Sequence, residues 1–145
     1  MEEDENENYF ENISSIEELI IAERNGFNLE FKTNRPEMPG ASLLHESARR
    51  CNLVLLAYLI SNRNMDFNQL DKDECSPLGY VLNDDLWYEI RSGEITTVNE
   101  GCNDVSEILQ TIDFLKTHGA KCIYNGELYN EKWIDQYIVA LKKQL

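Results

Sequence analysis

Basic residues and long apolar runs are scarce in this sequence. Only 13 of its 145 residues are Lys or Arg, and only two are His. No apolar run approaches the roughly 18 residues that cross a bilayer. The acidic N-terminus also lacks the basic and apolar parts of a signal peptide. We therefore expect a cytoplasmic protein that does not enter a membrane.

The four cysteines form no Cys-x-x-Cys pair, and 20 or more positions separate each from the next. This wide spacing suits neither a zinc knuckle nor a redox motif. We predict reduced thiols that pack inside the fold, and no metal site. The residues concerned are Cys51, Cys75, Cys102 and Cys122.

Patterns that carry catalytic chemistry are also missing. The sequence has no glycine-rich phosphate loop, no metal-ligand cluster and no nucleophile beside a base. Asp71, Asp73 and Glu74 suggest the start of a calcium loop, but Leu82 stands at the twelfth position, where an EF-hand needs Glu. We expect a protein that is not an enzyme and that needs no cofactor.

Negative charge is abundant and unevenly placed. The formal net charge is −14 at pH 7. Residues 1–11 contain six carboxylates and no basic residue, and residues 84–104 contain six carboxylates against Arg91 alone. Such a field repels nucleic acid and anionic lipid, and it speeds the encounter with a basic protein. The alternative is that the negative charge only keeps the protein soluble.

A repeated motif organises the middle of the chain. Ser42-Leu43-Leu44-His45 and Ser76-Pro77-Leu78-Gly79 begin 34 residues apart, and a period of this size is typical of stacked helical repeats. Between them lie the apolar run Val54–Ile60 and the sequence Asn64-Met65-Asp66-Phe67-Asn68. These residues resemble the ankyrin-repeat family, in which a Thr-Pro-Leu-His-like tetrapeptide opens each unit and Gly-Ala-Asp-Val-Asn closes it.

The resemblance implies an all-α fold, a short solenoid of helix-turn-helix repeats that binds protein. Leu43 stands where the family has Pro, Gly79 where it has His, and Glu74 where it has Gly. Asn64 replaces the closing Gly and should adopt a left-handed conformation. The resemblance also implies that His45 joins neighbouring hairpin tips by hydrogen bonds, a structural role.

We divide the chain into a flexible acidic segment and a single repeat domain, 9–145. Apolar residues at helical spacing predict a central core of Leu44, Ala48, Leu53, Leu56, Leu59 and Ile60. Ser14 and Glu17 predict a capping box, and a helix is expected from Pro77 to Arg91. Asp104 and Asn130 should cap two later helices. The expected segments are 1–8 flexible, repeats at about 9–39, 40–73 and 74–126, and a capping helix at 130–145.

Candidate contacts with a partner fall in three places. The first is a long hairpin tip, in which Met38 should be exposed. The alternative is that this tip is only a loop insertion that the fold tolerates. The second place is the acidic tip at residues 71–74. The third is the acidic insertion at 84–104, which contains aromatic residues of the kind enriched at interfaces. Trp87 could equally cover a neighbouring helix. The predicted partner-binding residues are Met38, Asp71, Asp73, Glu74, Asp84, Asp85, Trp87, Tyr88, Glu89 and Glu94.

Two functions remain open from the sequence. The first is an inhibitor or immunity-type protein that covers a basic site on a toxin or nuclease. The second is an ankyrin-type scaffold, adaptor or host-directed effector that positions a protein partner. In both cases we expect one protein partner, no nucleic acid, no membrane and a monomer when the protein is free.

Overall fold

The structure is a computed structural model that describes residues 2–82 and 104–143. Within these ranges the fold is mostly helical, with seven helices and one antiparallel sheet of two strands. The mainly helical class is therefore confirmed, whereas the two strands were not predicted. The elements are α1 (Glu2–Asn12), α2 (Ile16–Arg24), α3 (Leu43–Arg49), α4 (Leu53–Ser61), α5 (Pro77–Val81), α6 (Val105–Thr117), β1 (Cys122–Tyr124), β2 (Glu127–Tyr129) and α7 (Glu131–Lys142).

Polar side chains begin six of these helices. In each case an oxygen of the capping side chain accepts a hydrogen bond from a backbone N–H in the first turn. The predicted caps at Asp104 and Asn130 are confirmed. The predicted capping box of Ser14 and Glu17 is wrong, because Ser15 caps α2 and the Glu18 carboxylate accepts from the N–H of Ser14, the residue before the cap, at 3.0 Å. The six caps are Ser15, Ser42, Asn52, Ser76, Asp104 and Asn130.

The helices pack in two rows. Helices α2, α4, α6 and α7 contact one another in that order, while α3 contacts α5 and α5 contacts β1. The rows are joined because α3 packs on α4 and α5 packs on α6. The predicted core is buried between them except for Leu53, which is half-buried. Its buried members are Leu44, Ala48, Leu56, Leu59 and Ile60.

A left-handed residue follows the end of each of three helices. Gly26, Asn64 and Gly119 have φ angles of +108°, +53° and +86°. Asn64 therefore adopts the conformation predicted for the residue that replaces a closing glycine. Glycine and asparagine reach this region at lower cost than other residues, so the three positions let the chain reverse after α2, α4 and α6.

The N-terminal segment differs from the expectation of a flexible tail, because residues 2–8 belong to α1. The side-chain oxygen of Asn6 accepts from the Asn28 N–H at 3.0 Å, and the Glu7 carboxylate accepts from the Thr33 hydroxyl at 2.7 Å. Phe10 is fully buried in the core. Contacts with residues distant in sequence thus order a stretch whose composition favours solvent.

Helix α5 is also shorter than predicted. It ends at Val81, and Leu82 has an extended backbone with φ −95° and ψ 130°. A continuous helix from Pro77 to Arg91 is therefore wrong. Leu82 is nevertheless buried, so its side chain still contributes to the core.

Helix α7 lies at the end of the row that α2, α4 and α6 begin. It buries Ile134, Tyr137 and Leu141 against the rest of the fold, and Trp133 is half-buried. The opposite face is mainly polar, with Val139 exposed at 55%. One face of this helix covers the core while the other meets solvent.

Candidate protein-binding surface

Asp71, one of the predicted contact residues, shapes the turn between α4 and α5. One carboxylate oxygen accepts from the backbone N–H of Asp73 at 3.0 Å and of Cys75 at 2.9 Å. The other oxygen accepts from the Tyr80 hydroxyl. Asp71 is buried, which differs from the exposed position that a direct contact requires. Its carboxylate is occupied in holding the turn.

Three turns are joined side by side by main-chain hydrogen bonds. The Lys72 N–H donates to the Pro39 carbonyl at 2.9 Å, which joins the first turn to the second. The Gly126 N–H donates to the Glu74 carbonyl at 3.0 Å, which joins the second to the third. We call this surface the tip row, and it consists of residues 33–41, 71–75 and 122–129.

The tip row presents carboxylates to solvent. Asp73 and Glu74, both predicted contact residues, are exposed on the middle turn beside Lys72. Glu37 on the first turn and Glu127 on the third are exposed as well. Since the main chain fixes the turns, these acidic side chains project from a defined backbone. Their arrangement can attract a basic surface.

His45 connects α3 with the turn at 71–75. Its Nε2 lies 3.1 Å from the carbonyl oxygen of Gln69 and 3.0 Å from that of Cys75, while Nδ1 accepts from the Ser42 N–H at 3.1 Å. These partners suit a neutral ring that donates from Nε2. Burial lowers the pKa of His45, although the Cys75 carbonyl and the charge of Asp71 oppose this effect.

Gly79 occupies the position 34 residues after His45 and allows a different connection. A Cβ atom on Gly79 would lie 2.2 Å from the Ile123 carbonyl oxygen, so only glycine lets the hairpin approach so closely. Ser76 binds the hairpin there. Its N–H donates to the Ile123 carbonyl at 2.9 Å, and its hydroxyl donates to the Lys121 carbonyl at 2.8 Å.

Met38 does not have the exposed position expected from the sequence. Its side chain is 1% exposed, because the turn folds back so that the Met38 N–H donates to the Arg35 carbonyl at 3.1 Å. The neighbouring Glu37 has a side chain that is 65% exposed. On the first turn, the group available to a partner is therefore a carboxylate and not a thioether.

A buried carboxylate that the sequence analysis missed lies behind the first turn. Glu46 is 1% exposed and pairs with Arg49 at 2.7 Å, Arg35 at 3.1 Å and Arg50 at 3.2 Å. Burial alone would raise the pKa of Glu46, but the three arginines lower it, Arg49 most strongly. Arg35 also lies 5.0 Å over the ring of Phe10. This cluster ties α1, the first turn and α3 together.

The predicted acidic insertion stays a prediction. Six of the predicted contact residues lie outside the described residues, as does Cys102. Asp104, at the end of that segment, is described and accepts hydrogen bonds from the Ser106 and Glu107 N–H groups at 2.7 and 3.2 Å. The six contact residues are Asp84, Asp85, Trp87, Tyr88, Glu89 and Glu94.

Neither a metal site nor a membrane span is found in the part of the chain that the structure describes. Within 2–82 and 104–143, no group of three or more His, Cys, Asp or Glu side chains could hold a metal ion. Among the helices of those ranges, none has the length and apolar character needed to cross a membrane. Cys51, Cys75 and Cys122 are buried, as predicted for packed thiols.

Comparison with known proteins identifies no relative of this chain. No family model, no curated protein and no solved structure matches it. Function must therefore be inferred from the residues of this chain and from their geometry.

Proposed function

We propose that this chain is a non-enzymatic protein-binding module of ankyrin-like repeats that recognises one basic protein through the tip row. Within this class we favour an inhibitor or immunity-type protein that covers a basic site on a toxin or nuclease. The observation that carries the proposal is the tip row, in which joined turns expose Asp73 and Glu74 between Glu37 and Glu127.

The ankyrin-like assignment is supported by features that recur along the chain. Ser42 and Ser76 cap α3 and α5 at the same place in the repeated motif. His45 links its helix to the next turn, as the resemblance implies. The left-handed residues after α2, α4 and α6 stand where each unit is expected to close.

The rigidity of the tip row favours tight binding. Asp71 and the hydrogen bonds between turns already fix the backbone of the middle turn, so binding orders few additional residues. Preorganisation of this kind reduces the entropy lost on association. Exposed carboxylates add long-range attraction, which raises the association rate with a basic partner and weakens as salt screens the charges.

A charge-reversal comparison tests the proposal. The tagged protein is used to capture partners from the cell extract in which it is expressed, and a purified partner is then measured at several salt concentrations. We expect Asp73→Lys with Glu74→Lys to weaken binding at least about tenfold at low salt and to flatten its salt dependence. The matched control is Glu17→Lys with Asp113→Lys, which makes the same charge change at exposed sites on α2 and α6.

The control separates local contact from net charge. Equal weakening by both double variants would mean that only the overall charge attracts the partner, and the tip row would lose its role. Binding that is insensitive to salt and to both double variants would favour the scaffold or adaptor function instead. Absence of any protein partner would contradict the whole proposal.

A further inference from the structure

His45 joins the first and second turns of the tip row. The residue follows the first turn on α3, and its fully buried ring lies against the segment that contains the second turn. Nε2 lies 3.1 Å from the Gln69 carbonyl oxygen and 3.0 Å from the Cys75 carbonyl oxygen. One ring nitrogen therefore contacts both ends of the segment 69–75. We call this contact between residues 33–45 and residues 69–75 the tip seam.

The hydrogen bonds of the ring fit only its neutral form. Nδ1 accepts from the Ser42 N–H at 3.1 Å and lies 2.9 Å from the Ser42 hydroxyl oxygen. A ring nitrogen that accepts a hydrogen bond carries no proton, so the single N–H of the ring is on Nε2 and faces the two carbonyls. The Ser42 hydroxyl oxygen also accepts from the His45 N–H at 3.3 Å, which caps α3. The neutral ring thus belongs to both the cap and the tip seam.

A second proton on the ring would break this arrangement. It would lie on Nδ1, opposite the Ser42 N–H, so that two donors would face each other. Ser42 is fully buried, and its N–H would lose its acceptor without gaining water in exchange. The conflict is relieved when the ring leaves its site, which releases the carbonyls of Gln69 and Cys75. Proton uptake and opening of the tip seam are therefore linked.

The charged groups around the ring do not compensate for this loss. The Asp71 carboxylate attracts a positive ring, but its oxygens already accept from the Tyr80 hydroxyl and from two backbone N–H groups. Tyr80, on α5, packs its ring edge-on to His45 at 5.5 Å. The positive charge of Lys32 repels a charged ring, and Glu46 on α3 is paired with arginines. Burial is the largest effect, and it lowers the pKa of His45.

The two junctions of the tip row differ in their dependence on His45. The first turn is joined to the second by the bond from the Lys72 N–H to the Pro39 carbonyl at 2.9 Å, which lies in the tip seam. The second turn is joined to the third by the bond from the Gly126 N–H to the Glu74 carbonyl at 3.0 Å, which lies outside it. Loss of the His45 contacts should therefore separate the first turn from the second and leave the other junction closed.

We propose that protonation of His45 opens the tip seam, so that the tip row binds its partner near neutral pH and releases it in mildly acidic solution. The inference rests on the proposed protein-binding function and adds the regulation of that surface. Opening of the seam separates Glu37 from Asp73 and Glu74. The loosened turns would then have to be ordered again on binding, which lowers affinity.

Hydrogen exchange of the free protein between pH 7.5 and pH 5.5 tests the opening without a partner. Rates are corrected for the intrinsic pH dependence of exchange. The Ser42 and Lys72 amides should lose protection by up to about tenfold, the limit that linkage sets for an open form with the ordinary pKa of 6.5. The Gly126 amide should keep its protection. His45→Gln should remove the pH dependence at Ser42 and Lys72.

The exchange experiment has clear contrary results. A loss below about twofold at Ser42 and Lys72 would overturn the proposal, because linkage would then be too weak to open the seam. An equal loss at Gly126 would also overturn it, since the whole fold and not the seam would be opening. The pH series on the unaltered protein needs no variant, so this test stands even if His45→Gln does not fold.

Affinity for the partner isolated by capture tests the release step at constant salt. We expect the affinity of the unaltered protein to fall by up to about tenfold from pH 7.5 to pH 5.5, and that of His45→Gln to change less than about twofold. Glu17→Gln, at an exposed site on α2, is the control and should keep the pH dependence. An equal fall in His45→Gln would refute the role of His45.

Failure of this inference can be distinguished from failure of the proposed function. If the seam opens but affinity does not change with pH, release is refuted, while the charge-reversed tip variant still decides the proposed function. If that variant binds the partner as wild type does, the proposed function fails and the release proposal fails with it.

Discussion

Replacing Gly79 by Ala tests how the hairpin is held against α5. A Cβ atom there would lie 2.2 Å from the Ile123 carbonyl oxygen and 3.1 Å from its carbon, and both are main-chain atoms that cannot rotate away. The hairpin must move, which breaks the two bonds between Ser76 and Ile123 at about 1 kcal/mol each. Overpacking costs about 1–3 kcal/mol, and the better helix propensity of Ala returns up to about 1 kcal/mol.

We therefore expect Gly79→Ala to lower the free energy of unfolding by about 3 kcal/mol, measured by urea denaturation. Hydrogen exchange at the Ile123 amide should accelerate as well. Gly119→Ala is the control, because φ is +86° there but no atom lies within 4 Å of the methyl group that Ala would add. It should cost about 1–2 kcal/mol without faster exchange at Ile123. Equal effects of the two substitutions would refute the close-approach argument.

Two further predictions concern buried ionisable groups. The pKa of His45 is lowered from 6.5 in the folded state, so the unfolded state binds the proton more readily. The contribution of His45 to stability should be complete above the ordinary pKa of 6.5, which the unfolded state keeps, and be lost as the pH falls below it. His45→Gln should therefore flatten the pH dependence of thermal unfolding between about pH 7.5 and pH 5.5. Glu46→Gln leaves three arginines without their shared anion. It should lower the free energy of unfolding, measured by urea denaturation, by about 2 kcal/mol. This loss is smaller than for a fully buried ion pair, because the arginines are partly exposed. Glu17→Gln is its exposed control, and an equal loss from both would contradict the role of the buried cluster.

Local signals predicted two helix starts and one left-handed residue. A helix N-cap needs only a side chain that accepts a hydrogen bond from the first turn of the same helix. Asp104 and Asn130 could therefore be identified as caps from the residues next to them. The left-handed Asn64 followed from its place in the repeat. These features depend on a few consecutive residues, which is why the sequence alone was sufficient.

The first helix and the hairpin depend on more than local sequence. Polar residues of α1 are ordered through distant partners, such as Asn28 for Asn6 and Thr33 for Glu7. The strands are three residues long, too short for a clear alternating pattern. Asn125-Gly126 was the available signal, since this dipeptide favours a type I′ hairpin turn.

The exposure of the candidate contact residues was predicted in part. Asp73 and Glu74 have the exposure that a contact needs, but Asp71 in the same acidic run does not. A sequence of acids does not show which carboxylate bonds to its own turn. Likewise, the spacing of Glu46 to Arg49 indicates an ion pair on one helix but not its burial. Burial depends on the first turn, which brings Arg35 from outside the helix.

The absence of a side chain at Gly79 explains how the tip row can end in a hairpin. At the equivalent position in the preceding unit, the His45 ring fills the space between helix and turn and bonds to two carbonyls. With no side chain at Gly79, the main chain of β1 occupies the corresponding space and Ser76 supplies its hydrogen bonds. A histidine at 79 would need the volume that Ile123 now takes. Gly79 therefore lets the third turn lie close to the helix, and the hairpin is the last turn in the row.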